Sequence, residues 1–401
     1  MPTFYYKAKK ENAETVLGQI SARDPEEAVE LINQMGLVPV SVESRSTVSS
    51  KVETLQRHVH RREVHVFSRQ LVNLLKAGVT ILRALEIVGA QTRNPNFKAI
   101  IATLGAEIRD GRSFSDALSD YPKIFSPFYI NLIRVGEESG KLREVLLDIT
   151  AYQRSQEEIL TKLKSAMVYP LFMGGVGLLT VIFILTFVLP RILGLFSSLQ
   201  ENLPLPTAIL LSISQFLKIG WYWVILGVIL IWFLSSRFIN SPRGKTLISR
   251  LRLRLPGLGP FTLKVELGRM ARTLEILLKS GIPILRALQI ATPVLNNELI
   301  KEAFSRSQAD LAKGNSLGLS LRQSPLIPVV VSDLVVVAEE TGSLTEIFHE
   351  IAETYEEETK ETIKVMTTLM EPVMILVVGS VVGFIVFAML LPIFQIDALV
   401  R

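Results

Sequence analysis

The sequence predicts a mainly α-helical integral membrane protein: two homologous cytosolic six-helix bundles, three transmembrane helices and a small N-terminal α/β module. Three observations predict it. Long uncharged apolar runs interrupt the chain three times, and a pattern of about 125 residues occurs twice. Between the runs, apolar residues recur with the period of a helix rather than that of a strand.

The runs come first because they decide the solvent. Of 401 residues 49% are apolar, and mean hydropathy is +0.37. That is high for a protein wholly in water and low for one wholly in lipid. One uncharged run fills the gap between Lys164 and Arg191, with Leu171–Leu189 almost entirely apolar. A second lies between Lys218 and Arg237, with Trp221, Tyr222 and Trp223 at one end and Trp232 near the other. The third extends from Pro372 to Ile396. Each can cross ~30 Å of hydrocarbon at ~1.5 Å per residue, and the aromatics suit an interfacial belt. The apolar stretch between Glu201 and Lys218 is shorter and carries Pro204 and Pro206, so it reads as an interfacial or re-entrant segment. The amino terminus lacks the apolar core of a signal peptide, so insertion is expected to rely on the internal runs.

Orientation follows from Lys and Arg near the run ends. Only Arg191 and Lys218 lie in the loop after the first run, whereas Arg237, Arg243, Lys245, Arg250, Arg252 and Arg254 follow the second. Lys162, Lys164, Lys360 and Lys364 precede the first and third, and Arg401 alone follows the third. The amino terminus is therefore expected in the cytosol and the carboxyl terminus outside.

The repeat matches residues 67–87 with 268–290. Arg69 matches Arg272, Gly78 matches Gly281, and Leu-Arg-Ala-Leu occurs at 82–85 and 285–288. The offset of 203 persists to Gly111 and Gly314, then becomes 202 for Glu137-Glu138-Ser-Gly140 against Glu339-Glu340-Thr-Gly342. It stays 202 for Tyr169-Pro170 against Glu371-Pro372 and for Leu189-Pro190 against Leu391-Pro392. Each copy is a cytosolic unit followed by a membrane span. Within the first, Phe67, Leu71, Leu74 and Leu75 share a helix face that Gly78 ends, Thr80 can cap the next helix, and Ser126-Pro127 opens another. Such signals give about six short helices per copy, a compact antiparallel bundle. The last helix is expected to run from about Leu142, or Leu344, straight into its span.

The first residues differ. FYYKAKK, GQISA and LVPVSV have strand character around a capped helix at Asp24-Pro25. The expected order is therefore the module at 1–45, a basic linker at 46–62, the first bundle at 63–165 and the first span at 166–190. An external loop with the interfacial segment follows at 191–218, then the second span at 219–236 and a basic cytosolic loop at 237–262. The second bundle occupies 263–370, the third span 371–392 and an external tail 393–401.

Candidate chemistry is thin. No cysteine is present, which excludes disulfides, thiolate zinc sites and thiol nucleophiles. Gly244-Lys245-Thr246 resembles the end of a phosphate-binding loop, but position 239 is Ile where the first glycine would stand, so a basic membrane-proximal segment is the better reading. His58, His60 and His65 lie among Arg57, Arg61 and Arg62, whose charge opposes a zinc ion. The paired acids Glu137-Glu138 and Glu339-Glu340 are read as structural, ahead of a glycine break with backbone or Arg partners. A metal bridge or a partner contact there stays open. Glu356-Glu357-Glu358 reads as a solvated helix face. Gly379 and Gly383, with Gly177 equivalent to Gly379, hint at helix pairing in the membrane or oligomerisation. No ionisable residue lies inside a span, which argues against a second function class, a small-solute permease with duplicated halves.

The residues FSRQL, LKAGV and ILRAL, their counterparts ARTLEILLKSGIPILRAL, then GEESGKL and AEETGSL, then YP and EP at the span entries, carry a resemblance. With FYYKA, GQISA and LVPVSV they make the chain similar to the type II secretion system protein F and PilC-like inner-membrane platform proteins, from about residue 4 to the end. The resemblance implies a non-enzymatic assembly platform in the bacterial inner membrane, with no cofactor. It implies a dimer or higher homo-oligomer that contacts a hexameric secretion or pilus ATPase, pilin or pseudopilin subunits, other inner-membrane assembly proteins and membrane lipid. It implies no nucleic-acid partner.

Overall fold

The computed structural model describes residues 3–9, 15–44, 59–194, 204–239 and 241–399. The chain divides into two compact units, Met1–Arg154 and Ser155–Arg401.

The first unit opens with an antiparallel three-stranded sheet of order β2-β1-β3: β1 (Thr3–Lys9), β2 (Thr15–Ser21) and β3 (Val38–Ser44). A bulge between Lys7 and Ala8 shifts the β1–β3 register. Helix α1 (Pro25–Gln34) precedes β3; the Asp24 side chain accepts from the Glu27 amide at its start, and Pro25 sits where no amide donor is needed. Ala8, Ile20, Ala28 and Ile32 form the small core beneath. The basic linker lies almost wholly outside the described residues, and its last two, Arg61 and Arg62, already belong to a helix.

The first bundle contains α2 (Arg61–Lys76), α3 (Ile81–Gln91), α4 (Pro95–Arg109), α5 (Phe114–Ser119), α6 (Pro127–Glu138) and the start of α7 (Leu142–Phe183). Helix α2 stops because Gly78 takes φ +80°, a conformation costly for residues with a Cβ. The Gly78 amide donates to the Leu75 carbonyl and the Val79 amide to that of Leu74, so two of the last carbonyls are paired in a Schellman turn. Thr80 stands at the next N-cap without a side-chain bond, whereas the Ser126 hydroxyl accepts from the Tyr129 amide.

In the second unit α11 (Pro242–Arg254) precedes α12 (Leu258–Lys279), α13 (Ile284–Ala291), α14 (Glu298–Ala312), α15 (Leu317–Arg322), α16 (Val329–Thr341) and α17 (Leu344–Leu399). Helices α12–α17 repeat α2–α7, and Gly281 repeats the turn of Gly78, with φ +86°. The stretch expected as a basic loop at 237–262 is therefore mostly helical. Ser241 caps α11 by accepting from the Gly244 amide, and one face of the helix packs on the bundle, which periodicity around so many cations did not reveal.

The two cores use different side chains at equivalent places. The first packs Phe67 edge-on against Phe97 and tilted against Phe125, and Phe125 tilted against Tyr129, with centroids 5.2–6.0 Å apart. At those positions the second buries Met270, Ile300, Ile327 and Val331. The change is compensated in detail. The buried Tyr129 hydroxyl lies 3.1 Å from the Ser68 hydroxyl, and where Val331 replaces the tyrosine, Ala271 replaces the serine.

Among the described residues, two helices are long and apolar enough to cross a membrane, over Leu142–Ile192 and Leu344–Leu391, with mean hydropathies of 2.5 and 2.9. Only 11% and 17% of those apolar windows is buried, which separates them from core helices of a soluble protein. Leu171, Phe172, Leu376 and Phe387 are among the exposed side chains. A further helix, α10 (Trp221–Ile239), occupies the place of the second expected span.

The C-terminal ends of the two long apolar stretches are held by α9 (Leu205–Ile219), the segment expected to be interfacial or re-entrant. A π turn at Ile184–Val188 joins α7 to α8 (Leu189–Gly194). In it the Leu189 amide donates to Ile184, so the partner due to the Leu185 carbonyl is residue 190, a proline without an amide hydrogen. The Ser214 hydroxyl donates to that carbonyl instead, at 2.5 Å. In α17 the Ala388 carbonyl loses its donor to Pro392, and the Thr207 hydroxyl supplies one, also at 2.5 Å. Leu185, Leu189, Leu210, Ile385 and Met389 close around these bonds.

Removing either hydroxyl, by Thr207→Val or Ser214→Ala, is expected to destabilise the second unit by about 1 kcal/mol. The matching proline replacement returns an amide hydrogen, so Pro392→Ala should offset Thr207→Val. Denaturant unfolding of the four single and double combinations measures the coupling, and equal losses in both backgrounds would disprove it.

Candidate functional site

The paired acids divide into a bound member and a free one. Glu137 lies at the end of α6, half-buried, and its two carboxylate oxygens accept from the Phe114 and Ser115 amides at 2.6 and 2.8 Å. Those amides are the unpaired donors at the start of α5, where the helix dipole also favours a negative charge. Glu339 does the same for α15, accepting from the Leu317 and Gly318 amides at 2.7 and 3.0 Å and from the Ser316 hydroxyl at 2.5 Å. Glu138 and Glu340 are exposed. Gly140 and Gly342 follow with φ +69° and +73°, and Gly111 and Gly314 make the turns before α5 and α15.

A second glutamate pair emerges at the same offset. Glu63 accepts from the His60 amide and the Asn94 side chain, and Glu266 accepts from the Asn296 amide. Asn94 and Asn297 in turn cap α4 and α14. Sequence reasoning missed this pair, although the offset that aligned Arg69 with Arg272 also aligns Glu63 with Glu266 and Asn94 with Asn297. These carboxylates serve backbone amides in both copies.

The copies part company at the helix that leads to the membrane. Arg69 is exposed, but Arg272 lies between α12 and α17, with Nε 3.0 Å from Glu356 and Nη1 2.7 Å from Glu275. Burial works against the Arg272 charge, and Glu356 and Glu275 more than offset it, so its pKa is raised. The His349 ring approaches Glu275 at 2.8 Å, and Lys264 pairs with Glu358 at 3.0 Å. The places of Glu275, His349 and Glu356 in the first copy hold Val72, Leu147 and Arg154, so no equivalent cluster can form there. Glu356, expected on a solvated face, is corrected to a partly buried partner of Arg272. Helical spacing put it beside exposed Glu357 without showing which side meets α12.

Another divergence opens a cavity of about 290 Å³ in the second bundle, lined by Glu302, Arg306, Asp310, Ser320, Ser324 and Leu326. The first bundle carries Tyr121 where Ser324 stands, and the tyrosine is buried.

The remaining candidates have structural places. Gly244 is required because a Cβ there would lie 1.9 Å from the Phe238 carbonyl oxygen, so the Gly-Lys-Thr stretch forms the first turn of α11 close against the end of α10. His60 heads α2, and His58 lies outside the described residues. Among the described residues no group of three or more His, Asp or Glu is placed to hold a metal ion. Pro170 is buried within α7, while Glu371 and Pro372 are exposed on α17. A Cβ on Gly177 would meet Val378 Cγ2 at 3.0 Å, so this glycine lets α7 approach α17, whereas Gly379 and Gly383 face open space.

Breaking the partly buried ion network by Arg272→Ala is expected to cost about 3 kcal/mol, and the equivalent Arg69→Ala less than about 0.5 kcal/mol. Glu137→Gln and Glu339→Gln should each cost about 1–2 kcal/mol through the weakened cap. Unfolding of the detergent-solubilised chain checks all four, and similar costs for the two arginines would refute the asymmetry.

Comparison with known proteins agrees with this architecture. The family model for type II secretion system protein F matches twice, at residues 67–190 and 270–392. The model for the N-terminal domain of that protein matches residues 1–43. The type IV pilus assembly protein PilC of Thermus thermophilus is 34% identical over 400 residues, covering 99% of this chain and 98% of that protein. PilC of Pseudomonas aeruginosa is 32% identical over 345 residues, with coverages of 86% and 92%. The type II secretion system protein F of Vibrio cholerae is 26% identical over 403 residues, with coverages of 100% and 99%. With both repeats matched and a relative above 30% identity along nearly its whole length, the chain belongs to the type II secretion system protein F family.

Proposed function

We propose that the protein is a non-enzymatic platform in the bacterial inner membrane that couples a cytosolic hexameric ATPase to the insertion of pilin or pseudopilin subunits. Its three spans leave the amino terminus in the cytosol and the carboxyl terminus outside. The observation that carries the coupling is the continuity of α17. It begins inside the second bundle at Leu344 and continues as one helix to Leu399, 56 residues or about 80 Å at 1.5 Å per residue. Helix α7 likewise leads from the first bundle into an apolar segment. A helix resists bending and compression, so displacement of a bundle by a motor reaches the membrane without an intervening hinge. The ion network around Arg272 ties α12 to α17, which makes the second bundle the firmer grip.

The partners follow from the reading rather than from a bound complex. The bundles offer the surface for the motor, and the lipid-facing sides of α7 and α17 offer one for an apolar subunit helix. Self-association through the open face of Gly379 and Gly383 would provide the homo-oligomer.

Deleting the gene, shearing surface filaments and assaying secreted proteins from the same cultures tests the role. Loss of filaments restored by complementation places the protein in a pilus machine, and loss of secretion alone places it in type II secretion. No change in either would refute the platform reading. Replacing Lys360 and Glu361 with two glycines introduces a flexible point into α17 at about 1 kcal/mol per glycine. Assembly is expected to fall at least tenfold while membrane levels of the protein stay near normal.

A further inference from the structure

Helix α11 has two faces with different fates. One is bolted to the second bundle: the Ser249 hydroxyl accepts from the Glu298 amide at 3.1 Å, and the Ser249 carbonyl from the Asn297 side chain at 3.2 Å. The opposite face presents Leu247, Leu251 and Leu255 in successive turns, all at least 40% exposed, and Leu258 beyond them is exposed too. At ~100° per residue, Arg243, Arg250 and Arg254 flank this stripe on one side and Lys245 and Arg252 on the other. The helix contains five cations and no acid.

Exposed leucines bordered on both sides by cations are unfavourable in water and well matched to one environment. A bilayer interface accepts apolar side chains ~5–10 Å deep, and anionic headgroups pair with the flanking charges. The chain puts α11 within reach of such a surface, because the exposed apolar helix α10 ends at Ile239 and α11 is capped by Ser241. A protein partner would need an acidic rim around an apolar groove.

We propose that α11 docks its leucine stripe into an anionic lipid surface and thereby holds the second bundle at a fixed height and tilt against the membrane. The inference rests on α10 being a membrane span. In this arrangement α11 is the fixed footing against which α17 can be displaced. Without it the bundle would hang from its two chain connections.

The chain has no cysteine, so single labels can be introduced cleanly. The full-length protein would carry nitrobenzoxadiazole at Leu251→Cys, at Leu230→Cys in α10, or at exposed Leu319→Cys in the second bundle. Each would be reconstituted in nanodiscs of brominated phosphatidylcholine with or without an equal share of phosphatidylglycerol. With phosphatidylglycerol, quenching at position 251 is expected to be at least about threefold that at 319 and to approach that at 230. Omitting phosphatidylglycerol, or adding Arg243→Glu, Arg250→Glu and Arg254→Glu together, should return position 251 towards the value at 319. Quenching at 251 no greater than at 319, with 230 quenched, would overturn the docking alone. A blue-shifted but unquenched label at 251 would overturn it in favour of a protein contact. Quenching at 251 indifferent to both charge changes would overturn the anionic preference. An unquenched label at 230 would overturn the span and the docking together.

Discussion

An amide hydrogen is missing at Pro190 and again at Pro392, and the apolar part of the second unit is built around those two absences. In hydrocarbon there is no water to pair the carbonyl that each proline leaves behind, and a side-chain hydroxyl that pairs it is worth about 1 kcal/mol. The chain answers with one helix. Thr207 and Ser214 lie two turns apart on α9, so their hydroxyls reach the freed carbonyls of Ala388 and Leu185 from a single face. Two defects at equivalent points of a repeat thus become the sockets for the helix that joins the copies. Replacing the prolines would improve each long helix by itself and remove the reason for α9 to bind where it does.

The duplication separates what the fold requires from what one copy does. Glu137 and Glu339, Glu63 and Glu266, Asn94 and Asn297 are identical because each satisfies backbone amides whose positions are set by the chain path. The glycine turns are identical because only glycine takes their backbone conformation without strain. Interior side chains are constrained only collectively, so four aromatic rings in one core become Met and aliphatic residues in the other, with Ser68 changing to Ala271 in step. Against that background the charges of Glu275, His349 and Glu356 stand out. A partly buried charge cluster is a weak source of stability compared with apolar packing, and the first copy carries Val72 and Leu147 at the places of Glu275 and His349. What the cluster adds is directionality: α12 and α17 cannot slide past each other without separating Arg272 from a carboxylate.

Legibility followed the same division. Helix count, the glycine stops, the proline starts and the two long helices were readable because each depends on residues close in sequence. The partners of Glu137 and Glu339 were readable only as a class, since 22 or 23 residues separate donor from acceptor. Helix α11 was hidden for a different reason. Its buried face is short, and the leucines that dominate its pattern point away from the bundle, so a reading that equates apolar with buried assigns it to a loop. Thr207 and Ser214 gave no signal at all, because ordinary hydroxyl residues become important only once Pro190 and Pro392 are folded beside them.

These constraints also bear on how the proposed platform role could transmit work. Force needs a lever, a grip and a footing. Helix α17 is uninterrupted from the bundle through the apolar region, with Pro372 in its exposed face rather than at a contact. The grip is electrostatic and local to the second copy, where Arg272 bridges Glu275 and Glu356. At the far end the lever meets α9 through the Thr207 hydroxyl bond and a small apolar cluster. Under that proposal, a helix held firmly at its bundle end and less firmly at the other would convert displacement of the bundle into movement of the apolar surface it presents. The absence of ionisable residues from that surface means that the movement shifts apolar side chains against apolar neighbours. That costs little in lipid.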